Sequence, residues 1–103
     1  MLFRSGLIKY ELGDMNVAIQ YWQRAIKIDS KSGEPRLALA AALFSQGKQA
    51  EAYTNAETAI SLDRELAKVA YLKENAWGNR LIADTQKLLD TPRIKAFTAR
   101  NAR

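Results

Sequence analysis

The chain has 103 residues, with 16 Lys or Arg against 11 Asp or Glu, and neither His nor Cys. That length predicts one domain with a buried core, and the two zeros exclude disulfides, thiolate nucleophiles, zinc fingers, haem ligation and histidine acid–base catalysis. The formal charge of +5 is localised: Arg93, Lys95, Arg100 and Arg103 all follow the last acid, Asp90, and the first 90 residues are nearly neutral. Four charges at a chain end leave a small electrostatic footprint. Only Phe97 interleaves them, so they do not point to nucleic acid. With 48% hydrophobic residues, the composition is that of a folded chain. Its longest apolar run, residues 37–44, is far short of the roughly twenty residues that span a bilayer. The start, MLFRSGLIKYELGD, has no signal-peptide core. The expectation is a soluble, intracellular protein, cytoplasmic by default.

In chain order the pattern is helix, tight turn, helix. Residues 2–12 place Phe3, Leu7 and Tyr10 on one helical face. Gly13 suits the left-handed residue that ends a helix, and Asp14 is positioned to cap the next one. Residues 15–28 carry a second stripe, with Ala18, Ile19, Trp22, Ala25 and Ile26. Pro35 fits a first helical turn, in a helix predicted to reach about Gln46. Gly47 turns the chain, and residues 49–62 form the partner. Residues 65–76 are predicted to be helical. Trp77-Gly78-Asn79 reads as a turn, residues 80–90 as another helix, and Thr91-Pro92 as the start of a last one over 92–101.

A shift of 34 residues superimposes Gly13 on Gly47, Ala18 on Ala52, Ala25 on Ala59, Ile26 on Ile60 and Asp29 on Asp63. A gapless period of this length is the signature of a helical-hairpin repeat. The pattern resembles the tetratricopeptide repeat (TPR). The family's small residue in the first helix matches Gly6 and Ala40, its turn glycine Gly13 and Gly47, and its small second-helix residues Ala18 and Ala25, then Ala52 and Ala59. Trp22 matches the bulky residue between them, where the second unit has Ala56. The closing proline is replaced by Ser30 and Arg64, and the leading Trp-Leu pair by Leu2-Ser5 and Arg36-Leu39. The resemblance implies an all-α solenoid of antiparallel hairpins with repeat 1 at 1–32, repeat 2 at 33–66, and a degenerate third hairpin plus capping helix at 67–103.

The resemblance also implies a concave groove lined by the first helix of each unit: Phe3, Leu7 and Tyr10, then Leu37, Ala41 and Phe44, then Lys68, Tyr71 and Asn75. Independently, residues 37–44 are apolar all round the helix, so that helix must bury more than one side. The cover is a groove ligand, another chain or a helix folded back inside. The implied function is a non-catalytic scaffold that binds an amphipathic or apolar peptide. The alternative is a self-assembling unit or a piece of a longer array, because the leading helix, beginning at Met1 with no capping helix before it, has an exposed side. The family's clamp for acidic chaperone tails is not expected, since its positions hold Phe3, Leu7, Ala38, Lys68 and Leu72. No catalytic set, metal or cofactor is expected. The carboxylate pairs Glu51/Glu57 and Asp84/Asp90 sit on otherwise polar helix faces, Ser45 and Ser61 have no lysine placed to activate them, and Trp22 and Trp77 read as packing anchors.

Overall fold

The computed structural model describes residues 2–101; Met1 and Arg103, named above, lie outside the described residues. Within them are seven α-helices, one short 3-10 helix and no strand. The first hairpin is α1 (Leu2–Glu11) and α2 (Met15–Ile28), and the second is α3 (Gly33–Ser45) and α4 (Gln49–Leu62). The 3-10 helix (Arg64–Ala67), α5 (Val69–Glu74), α6 (Asn79–Leu89) and α7 (Pro92–Arg100) follow.

Gly13 and Gly47 do the work assigned to them. Gly13 has φ +91° and Gly47 φ +83°. In the first turn Asp14 N–H donates to the Lys9 carbonyl and Gly13 N–H to that of Tyr10; Lys48 and Gly47 repeat this onto Leu43 and Phe44. These paired bonds satisfy carbonyls that a helix end would leave orphaned. Asp14, however, makes no capping bond through its side chain. Its φ −88°, ψ 63° lies outside the extended region from which a side chain reaches back to the first turn. Thr91 does cap as expected, accepting from Ile94 N–H at 3.4 Å while donating to the Leu88 carbonyl at 2.7 Å.

The segment 65–76 departs from the predicted single helix. Asp63 accepts from Glu65 N–H at 3.0 Å and nucleates the tight 3-10 turn. That turn drops Leu66, fully buried, against the start of α3, where a Cβ on Gly33 would come within 2.6 Å of the Leu66 side chain. The chain then extends at Lys68 before α5 begins in a new direction. The turn after α5 is also displaced: its left-handed residue is Ala76, φ +66°, and Gly78 at φ −73° merely precedes α6. Trp77 N–H to the Leu72 carbonyl and Ala76 N–H to that of Lys73 reproduce the bonds of the glycine turns. An L-residue there costs about 1 kcal/mol or more. Ala76→Gly is therefore expected to stabilise the fold by about 0.5–1 kcal/mol, after the added chain entropy of glycine. A lower midpoint in urea would show that the Ala76 methyl contributes packing that outweighs the strain.

α3 is the centre of the molecule. Rich in Ala and Leu, it is a strong helix former, and its all-apolar surface is covered by α4, α2 and α6. Of the three covers that the sequence allowed, the structure supplies a helix folded back inside. The molecule measures 33 × 26 × 25 Å, nearly as wide as long, because the C-terminal helices return over the first four instead of extending the stack. α7 closes the far side against α4. There Arg93 pairs with both Glu57 carboxylate oxygens at 2.9 and 3.2 Å and lies over the Tyr53 ring.

Candidate protein-interaction surface

The inner wall expected to form one open groove is largely covered. Tyr10, Leu37 and Ala41 have no exposed surface and Leu7 almost none. α6 packs on α1 and α3 and turns Leu81, Thr85, Leu88 and Leu89 inward. This corrects the groove assignment for Tyr10, Leu37 and Ala41, and the cause is the amphipathic α6, whose apolar face needs the same wall. Phe44 is half-buried, its ring 6.2 Å from that of Tyr53. Tyr71 donates to Asp63 at 3.2 Å, Asn75 to the Tyr71 carbonyl at 2.8 Å, and exposed Lys68 pairs with Glu65 at 3.2 Å. These three do not join Leu37 and Tyr10 in a common surface. Among the clamp positions, Ala38 and Leu72 are fully buried.

Polar contacts fix α6 in place across nearly the whole chain. The Tyr10 hydroxyl donates to Asp84 Oδ2 at 2.5 Å. Burial first, and then the Asp84 carboxylate, push that phenol well above the ordinary tyrosine range, so it stays protonated as a donor. Glu11 accepts from Arg80 N–H at 2.9 Å and from Leu81 N–H at 3.0 Å. A carboxylate on two free amides at a helix start gains from both the hydrogen bonds and the helix dipole. Gly78 is needed for this approach, since a Cβ there would stand 2.2 Å from the Glu11 carboxyl carbon. Trp77, nearly buried, donates its indole N–H to Glu34 at 3.0 Å and sets its ring 6.1 Å from Phe3.

The repeat positions behave as packing positions. Ala18, Ala40, Ala52 and Ala59 are fully buried, Ala25 is half-buried, and Gly6 lies against the buried Trp22 ring. Of the carboxylates weighed for chemistry, Glu57 is held by Arg93, Asp84 by Tyr10 and Asp90 by Gln86. No cluster of three or more carboxylates that could hold a metal occurs among the described residues. Two of the terminal cations also have local work, Arg93 on Glu57 and Arg100 over the Phe97 ring.

One side of α1 remains open. A cleft of about 510 Å³ runs between α1 and the α5–α6 turn, with Phe3, Leu7 and Ile8 as its apolar wall and Arg4, Glu34, Glu74 and Asn75 at its edge. Beside it, Ile8 is 62% and Leu12 72% exposed. Arg4, Ile8, Leu12, Glu34 and Glu74 are not among the groove positions expected from the sequence. The signal was present: Ile8 and Leu12 are an i, i+4 apolar pair off the Phe3–Leu7–Tyr10 stripe.

The fold is that of an all-α helical-repeat protein. Residues 6–47 match the family model described as TPR repeat, which runs from Gly6 through α2 and α3 to the second turn glycine. This segment, about two-fifths of the chain, is thus similar to a tetratricopeptide repeat, a family whose members generally mediate protein–protein interaction and are typically not enzymes. No curated protein and no solved structure matches the chain. No helix among the described residues is long and apolar enough to cross a membrane.

Proposed function

We propose that the chain is a soluble, intracellular, non-catalytic scaffold that binds a protein partner on the open side of α1. The partner presents an apolar side chain or a short amphipathic helix to the cleft. The observation that carries this reading is the cleft itself: an apolar wall from Phe3, Leu7 and Ile8, continuous with Leu12 and edged by charge. A contiguous apolar patch with a polar rim is the usual form of an interaction site. Of the groove first expected, Phe3, Leu7 and Asn75 persist in it.

Selection from a displayed library of helical peptides, run against the wild type and Ile8→Glu, tests this. Ile8 is mostly exposed, so the substitution should change stability by no more than about 0.5 kcal/mol. The expected result is a set of apolar-anchored peptides whose Kd rises at least about tenfold, or 1.4 kcal/mol, on Ile8→Glu. An empty selection, or peptides that bind both proteins equally, would overturn the reading.

A further inference from the structure

We infer that the partner for the open side of α1 is a second copy of the chain, joined α1 to α1 about a two-fold axis. This rests on the reading above, that α1 carries the binding surface. Three observations identify the occupant. The first is the internal repeat: a shift of 34 residues places Arg4, Ile8 and Leu12 on Ala38, Ala42 and Gln46. Just past α3, Gln46 reaches α2 and donates to Asn16 at 3.2 Å, and in α3 Ala38 and Ala42 have no exposure. The exposed stripe of α1 is therefore the repeat equivalent of positions that in the second hairpin are buried, at Ala38 and Ala42, or meet α2, at Gln46.

The second observation is at the opposite end. The α4 side, which would have to meet the α1 of another copy in a head-to-tail stack, is occupied by α7 and the 3-10 helix and bound through Arg93 and Glu57. Head-to-tail growth is blocked. With that side closed, the second copy presents its own stripe, which gives a closed, isologous pair.

The third is charge. The stripe begins at Arg4, and Asp14 stands just past its other end; both are exposed, and neither makes an ion pair or side-chain hydrogen bond among the described residues. From Arg4 to Leu12 is about 12 Å along a helix. An antiparallel crossing centred on Ile8 sets Ile8 against its symmetry mate. Each Arg4 then covers the partner's Leu12 with its aliphatic stem and turns its guanidinium toward the partner's Asp14.

Light scattering behind a sizing column, across a broad dilution series, tests the pair with four variants. The wild type is expected to pass from dimer to monomer on dilution. Ile8→Glu, which places two carboxylates on the axis, should raise the dissociation constant at least about tenfold, with the helical circular dichroism unchanged. Arg4→Asp and Asp14→Arg should each weaken the dimer, and the double reversal in one chain should restore it. A wild type that is monomeric throughout, a dimer indifferent to Ile8→Glu, or a double reversal no better than the singles would overturn the proposal. The broader reading is judged separately. A monomer that still captures peptides in an Ile8-dependent manner removes the second copy but keeps the binding surface, and failure of both measurements removes both.

Discussion

Leu37→Glu is expected to abolish the cooperative fold rather than a binding activity. Leu37 has no exposed surface and lies on α3, the helix enclosed by α2, α4 and α6. Removing a buried leucine costs about 2–5 kcal/mol on its own. Placing a carboxylate in its site adds the desolvation of a charge with no partner. The sum reaches most of the roughly 5–15 kcal/mol that holds a domain of this size together. Circular dichroism in a urea series should show a chain unfolded, or lacking a steep transition, in buffer. Leu12→Glu on the exposed stripe is the control and should shift the midpoint by no more than about 0.5 kcal/mol. A stable, fully helical Leu37→Glu protein would mean that α6 leaves this wall in solution, and that the open groove implied by the repeat is real.

Gly6→Ala should be nearly as damaging, although it adds a single methyl group. The new Cβ would lie 2.3 Å from the Trp22 indole nitrogen and 2.8 Å from two ring carbons. The ring cannot give way: it is fully buried, it packs 5.6 Å from Tyr10, and its N–H donates to the Phe3 carbonyl at 3.2 Å. Overpacking of a rigid site together with loss of that hydrogen bond amounts to about 3 kcal/mol, or about 15 °C in Tm. The second hairpin solves the same close approach differently, with Ala40 and Ala56 in place of Gly6 and Trp22. The two costs should therefore be coupled. Trp22→Ala alone loses about 4 kcal/mol, and adding Gly6→Ala should cost little more, because the clash has gone. An unchanged Tm for Gly6→Ala, or costs that simply add, would show that the ring moves freely.

The period of the sequence was enough to place the first four helices, because small residues and turn glycines recur at positions where only they fit. Gly13 and Gly47 needed no tertiary information. Gly78 departs from its expected turn role for a physical reason: its backbone is ordinary, and its missing side chain makes room for Glu11, 67 positions earlier in the chain. The actual turn residue, Ala76, has no composition that marks it. The covered groove escaped for a similar reason. Tyr10 and Leu37 look the same in sequence whether a peptide or α6 lies on them. The contact that decides between these, Tyr10 with Asp84, joins residues 74 apart. The open face was legible in Ile8 and Leu12, but a helix already supplied with one apolar stripe gives no reason to look for another.

The return of α6 onto α1 changes the dimensionality of the fold. In a linear stack each unit contacts only its neighbours, so an end can fray while the middle stays folded. Here the Tyr10–Asp84 and Glu11–Leu81 contacts tie the first helix to the last quarter of the chain, and opening one end releases the other. Partial unfolding from an end gains little freedom, and the molecule should lose its structure in a single step. Folding must correspondingly wait for a loop of some seventy residues to close. The repeat supplies the parts, but the order in which they can come apart is that of a small globular domain.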